Sequence, residues 1–176
     1  ELDLPHQVSD NTSVLGTPLK EGQSVMVDLG GNFNGYMNDM SRVFSIGKLP
    51  EEAYTAHQVC LDIQTKIASI AKPGIACEVL YDIAAEIAKE AGFADKFMGT
   101  GQQAKFIGHG IGLEINEAPV LAPRMKQQLE PGMVFALEPK IVIPGVVPVG
   151  IENSWVVTNE GIEKLTNCNE EIIKLS

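Results

Sequence analysis

The chain reads as an α+β protein, antiparallel β-hairpins covered on one face by helices. Two strand pairs, one near each end of the chain, alternate in polarity around tight-turn residues, whereas the stretch between them switches to helical spacing. No Pro/Gly/Ser-rich linker interrupts the 176 residues, so 1–176 is read as one domain.

The first hairpin comes from SVMVDLG at 24–30 and YMNDMSRVFSI at 36–46, joined across GNFNG, where Asn34-Gly35 favours a primed turn. LPEE at 49–52 places a proline and two acids at a helix start. Ala53, Ala56, Val59, Cys60, Ile63, Ile67 and Ile70 follow at helical spacing, and Lys72-Pro73-Gly74 ends the run. A second helix over 77–91 carries Leu80, Ile83, Ala84, Ile87 and Ala88 on one stripe and stops at Gly92. KFIGHGIGLEINEAP at 105–119 reads as a short apolar strand broken by glycines, and QQLEPG at 127–132 as a turn. MVFALEPKIVI at 133–143 and VGIENSWVVT at 149–158 form the second hairpin across PGVVP. The tail has room for an edge strand near 163–165 and a final strand.

Composition narrows the function. With 44% apolar residues the chain can build a core. A net charge of -10, with no run of Lys or Arg, excludes a phosphate-backbone binder. No apolar run approaches the roughly 18 residues that suggest a membrane span. Cys60, Cys77 and Cys168 are odd in number and widely spaced, which reads as reduced cytoplasmic thiols. The first residue is not Met, as expected of a processed chain or a fragment.

Carboxylates inside the strand pattern carry the chemistry. With the first turn centred on Asn34-Gly35, Asp28 faces Ser41 and Asp39 is its diagonal neighbour on the same side; centring on Phe33-Asn34 would pair the two directly. A loop centred on Gly145 sets Glu138 opposite Glu152. Side-by-side carboxylates repel unless a proton or cation lies between them, and four need more than a proton. His109 in GHGIG adds an imidazole where small neighbours give the backbone room. Oxygen donors with one nitrogen suit Mn, Co, Fe or Zn, and a bridging carboxylate can hold two ions about 3.5 Å apart. Taken singly, each residue has a plainer reading: Asp28 or Asp39 as a turn or surface residue, His109 as an ordinary loop histidine, Glu152 as the partner of Arg42 or Lys140.

The segments VMVDLGGNFNGYMNDMSRVF, FIGHGIGLEINEAP, LEPGMVFALEPKIVIPG and GIENSWVVTNEGIEKLT resemble the pita-bread metallopeptidases: methionine aminopeptidase, aminopeptidase P and prolidase, with creatinase as a metal-free relative. The Xaa-Pro peptidase branch is the nearer. The resemblance implies that Asp28 binds one metal ion, that His109 and Glu138 bind another, and that Asp39 and Glu152 bridge. It implies hydrolysis of an N-terminal, Xaa-Pro bond by a metal-bridged hydroxide, with Glu138 relaying the proton and His109 and Glu138 as the catalytic residues. Asn116, Glu117 and Arg42 are the expected substrate-side residues. Asn116 stands where the family has a substrate-contacting His, and the other expected His falls near Asn11, with His6 as the only upstream histidine. His57 reads as structural or surface.

The chain is short for that family, whose catalytic domain begins with further helices and a strand. A homo-oligomer, or a partner chain covering the open sheet edge, is expected. A peptide-binding protein that kept the fold and metal site without useful turnover is the alternative function. A creatinase-like hydrolase would not need five intact ligands, and a phosphoesterase would want a cationic cluster.

Overall fold

The structure, a computed structural model, describes residues 18–175. The primed turn forms where Asn34-Gly35 predicted it: both residues have left-handed backbones, with φ of 53° and 88°, and Gly35 meets this demand without a Cβ clash. It joins β1 (Ser24–Phe33) to β2 (Tyr36–Ile46). In the resulting register Asp28 lies opposite Ser41 and Gly30 opposite Asp39, so the diagonal arrangement of the two aspartates is realised and the direct pairing is not.

The helices follow. α1 (Glu51–Ile70) starts after Pro50, with Glu51 and Glu52 in the first turn where acids favour the helix dipole. It buries Ala53, Ala56, Val59, Cys60, Ile63 and Ile67, and also two polar groups, His57 and Gln64. α2 (Cys77–Glu90) packs against it through Leu80, Ala84 and Ala88. Full burial of a side chain such as Ile63 or Leu80 contributes about 1.5–3 kcal/mol, so these two stripes fix how the helices sit on the sheets.

Glycine-rich 105–119 is not one broken strand. It gives β3 (Gly108–Gly110) and β4 (Glu117–Val120), antiparallel to each other, with 111–116 as the connecting loop. The second hairpin is also subdivided, into β5 (Val134–Leu137), β6 (Lys140–Ile143), β7 (Val147–Gly150) and β8 (Asn153–Val157). β6 pairs with β7 and β5 with β8 in one continuous register, since Lys140 faces Gly150 and Leu137 faces Asn153. Between these ladders lie Glu138 and Glu152, opposite each other as expected. The ladder breaks there because Pro139 has no N–H, while the Glu138 N–H donates sideways to Ile107 O and the Glu152 N–H to Ser41 O.

β9 (Ile162–Lys164) is the predicted edge strand, and β10 (Ile173–Leu175) returns to pair in parallel with β2. Three sheets result: β1-β2-β10, β4-β3-β5-β8-β9 and β6-β7. α1 lies over β6 and β7. No helix among the described residues is long and apolar enough to cross a membrane.

Candidate metal centre

Three sheets converge on one group of acids. Asp39 comes from β2, His109 from β3, and Glu138 and Glu152 from the break in the second hairpin; all four are buried, Glu152 to 1% exposure. Ligand atoms of Asp39, His109 and Glu152 lie within 4.8 Å of one another. His109 Nε2 is 3.4 Å from Glu138 Oε1 and 3.9 Å from Asp39 Oδ2. Asp28 sits at the margin, its side chain 55% exposed, with Oδ2 3.9 Å from the ammonium of Lys140.

The glycines beside His109 set its position. A Cβ on Gly108 would lie 2.3 Å from Ala136 O, and one on Gly110 would lie 2.2 Å from Ala118 O, so only glycines let β3 pass this closely between its neighbours. His109 Nδ1 is 3.1 Å from Gly110 O. A carbonyl only accepts, so this contact has Nδ1 as the donor and turns Nε2 towards the acids.

Electrostatics at the centre are those of an acid cluster short of positive charge. The Asp39 carboxyl is pushed up to about 7, first by burial, then by the charge and hydrogen bond of Asp28 and the charge of Glu138, with Lys140 acting the other way. Glu152 is raised well above the usual carboxylate range by burial and by the charge of Glu138, again opposed by Lys140. Lys140 itself loses by desolvation but gains more from Glu138, Glu152 and Asp28, so it holds its proton more firmly than an ordinary lysine. Its Nζ donates to Glu138 Oε2 at 2.6 Å and lies 3.9 Å from Glu152 Oε2. Ser41 Oγ donates to Glu152 Oε2. Glu138 Oε1, by contrast, is buried with no hydrogen-bond partner among the described residues. A divalent ion fits this donor set: it would meet the orphaned Glu138 oxygen, the free His109 nitrogen and the mutually repelling Asp39 and Glu152 carboxylates together.

Behind the acids lies a polar clamp. Gln64 Nε2 donates to Leu137 O at 2.7 Å and Ile151 O at 3.2 Å, the carbonyls immediately preceding Glu138 and Glu152. Asn153 Nδ2 donates to Gln64 Oε1 and to Glu170 Oε1. Arg42 donates to Ser41 O, Glu152 O, Asn153 Oδ1 and Asn169 O.

Of the remaining residues singled out from the sequence, Arg42 is 2% exposed and does not join the acids; it occupies the β2 face opposite to Asp39 and Ser41. Asn116 is half-buried in the loop before β4, and Glu117 is exposed, accepting from the Glu114 N–H. His57 is buried and structural, its Nε2 2.7 Å from Glu170 O. His6 and Asn11 lie outside the described residues. Sequence reasoning missed Ser41 as the partner of Glu152 and Gln64 as the clamp; it named Lys140 only as an alternative partner of Glu152, not as the ammonium set against Glu138 and Asp28 as well. Alternation along the strand was the available signal for Lys140, two residues beyond Glu138.

Comparison with known proteins agrees with this geometry. The chain is 34% identical over 170 residues to the Xaa-Pro dipeptidase of Pyrococcus furiosus, covering 97% of this chain and 46% of that protein. The solved prolidase from Pyrococcus furiosus superposes with a TM-score of 0.80 at 34% identity, covering 94% of this chain and 46% of the other. The X-Pro aminopeptidase from Thermotoga maritima gives a TM-score of 0.81 at 31% identity, over 89% and 43% of the two chains. The chain thus spans less than half the length of these relatives, and its α+β architecture is the expected pita-bread arrangement. With the model of metallopeptidase family M24 matching residues 2–159, more than half of the sequence, the chain belongs to that family.

Proposed function

We propose that residues 1–176 form the metal-carrying catalytic part of a peptidase that hydrolyses an N-terminal peptide bond with proline on its far side. The observation that carries the reading is the buried convergence of Asp39, His109 and Glu152, with the unpartnered Glu138 oxygen facing His109. The names of the relatives, Xaa-Pro dipeptidase and X-Pro aminopeptidase, support the substrate class. Asp28, Asp39, His109, Glu138 and Glu152 would hold the metal, with donors enough for two divalent ions of the Mn, Co, Fe or Zn type. When bound, the metal polarises the scissile carbonyl and makes water acidic enough to attack near neutral pH.

The chain's own residues do the rest. Glu138 accepts the proton of the attacking water and passes it to the leaving amine. His109, held by Gly110 O, keeps its basic nitrogen inward, and Ser41 fixes the orientation of Glu152. Asn116 and Glu117 remain the candidates on the substrate side, whereas Arg42, buried on the opposite face of β2, braces the backbone behind the acids instead. A second copy or a separate chain packed on this one belongs to the same reading, supported by exposed Phe33 and Tyr36 at the tip of the β1–β2 hairpin and exposed Leu113 in the loop between β3 and β4. So does a cytoplasmic location, supported by three free thiols.

The test is release of the first residue from Xaa-Pro dipeptides by the metal-loaded chain, compared with the same chain carrying Glu138→Gln. Turnover that needs both metal and Glu138 is expected; turnover that survives metal removal would overturn the proposal. Asn116, in place of an imidazole, favours the second reading, a peptide-binding protein with little turnover, which predicts metal-dependent peptide binding without product.

A further inference from the structure

Among the described residues, Lys140 is the one ammonium set among the four carboxylates of the centre. Its Nζ contacts Glu138 Oε2 at 2.6 Å and stands 3.9 Å from both Asp28 Oδ2 and Glu152 Oε2. It arrives there from the first residue of β6, opposite Gly150. A Cβ at Gly150 would lie 2.9 Å from the Lys140 Cα and 3.0 Å from its Cγ, so the absence of a side chain on the facing strand gives the lysine its course into the cluster.

The two sides of the cluster are therefore unlike. On one side Asp39, His109 and Glu152 converge, with Glu138 Oε1 beside them, 3.4 Å from His109 Nε2 and without a hydrogen-bond partner among the described residues. On the other, Asp28, the second Glu138 oxygen and Glu152 Oε2 already surround a positive charge. An ion shared by Asp28 and Glu152 would have to stand where the ammonium stands, or close enough to be repelled by it. Net charge does not separate the two counts, since four carboxylates and one ammonium come within about one unit of neutrality with either one divalent ion or two. The position of the ammonium does, because a second ion would face it at a few ångströms.

We infer that Lys140 occupies the second cation position of this centre, so that the chain binds one divalent ion tightly, at Asp39, His109, Glu138 and Glu152, and admits another only by displacing the lysine. The inference rests on the metallohydrolase reading for the identity of the ligands but concerns stoichiometry. In this arrangement Asp28 serves the lysine more than the ion, and Lys140 holds Glu138 Oε2 so that Oε1 faces the ion. Lys140 is thus a positioning residue as well as a charge.

The experiment is titration of the full, metal-stripped chain with Mn2+, followed by calorimetry and by electron paramagnetic resonance. The unaltered chain should bind one ion, with an isolated six-line spectrum and a second ion bound roughly a hundredfold more weakly, as expected for a like charge a few ångströms away. Lys140→Met, which keeps the stem and removes the charge, should bind a second ion within about tenfold of the first and show the multiline signal of a coupled pair. Asp28→Asn in the unaltered background should leave the tight ion in place, whereas Asp39→Ala should lose it. Two ions of comparable affinity with a coupled spectrum in the unaltered chain would overturn the inference, as would no binding at all. Should Lys140→Met fail to fold, the stoichiometry of the unaltered chain decides alone. Absence of peptide turnover with one tight ion would overturn the hydrolase reading and leave Lys140 in its place. Turnover with two equally tight ions would do the reverse.

Discussion

Replacing Gln64 by Leu removes the polar clamp behind Glu138 and Glu152 while nearly preserving volume. Gln64 is 4% exposed and makes three hydrogen bonds, to Leu137 O, Ile151 O and the Asn153 amide. Each such bond contributes about 1 kcal/mol net, and a buried group left without a partner costs about 1–3 kcal/mol. Asn153 Nδ2 retains Glu170 Oε1 at 2.8 Å, so the unsatisfied groups are chiefly the two carbonyls. Burying the leucine methyls returns about 1 kcal/mol, which leaves an expected loss of about 2–3 kcal/mol. For a domain of this size that is a fall in Tm of about 4–12 °C. The carbonyls belong to the residues preceding two metal ligands, so metal affinity should fall about tenfold as well. The assay is urea unfolding of the metal-free chain together with Mn2+ calorimetry. Gln58→Leu, one helical turn and a half earlier on the exposed face, serves as control and should change stability by less than about 0.5 kcal/mol. A Gln64→Leu chain that loses less than about 1 kcal/mol and binds metal as before would show that the carbonyls find other partners and that the clamp does not position the acids.

Further expectations concern the centre and its surroundings. With Asp39 raised from 3.8 to about 7 by burial and by Asp28, the metal-free folded chain holds a proton that the unfolded chain has released. Its stability should therefore be fully present below about pH 4 as far as this group is concerned and decline as pH rises to about 7, with added metal reversing the loss; urea midpoints that rise over this range without metal would refute it. Gly110→Ala forces a Cβ against Ala118 O and should destabilise by about 1–3 kcal/mol or more, read as a lower Tm, with parallel loss of metal binding. Asn116→His should raise kcat on Xaa-Pro peptides, by at most the about 2.7–4 kcal/mol that a donor to a developing oxyanion supplies, while leaving metal affinity unchanged; an unaltered kcat refutes the role.

What could be read from the sequence was whatever depends on local pattern. Asn34-Gly35 defined the first hairpin and thus the side on which Asp28 and Asp39 lie, and helical spacing placed α1 and α2 to within a residue or two. The facing of Glu138 and Glu152 was legible because counting outward from Gly145 survives the break in pairing between them. The break itself was not anticipated, although Pro139 gave the reason: its missing N–H ends the ladder, and the neighbouring amides find partners on other strands, which pattern alone does not reveal. Nor could the pairing of β10 with β2 be read, since three residues at the end of a chain carry no information about a partner some 130 positions away. Arg42 illustrates a signal that was present and not used: it alternates with Ser41, so its side chain leaves β2 on the face away from Asp39.

The continuous register of the second hairpin has a consequence for how this centre can change by descent. One pairing frame runs from Val134 opposite Val156, through the two glutamates, to Ile143 opposite Val147. An insertion of a single residue in one arm would turn every following side chain to the opposite face, exchanging the acids for their apolar neighbours. Graded drift of the ligands is therefore closed to this chain. Lengthening at the tip, around Pro144 and Gly145, leaves the frame intact and is the one place in the ribbon where length can vary freely. Variation in the chemistry must come by exchanging individual side chains at fixed positions, and a lysine facing a glycine is one such exchange that an unbroken frame permits.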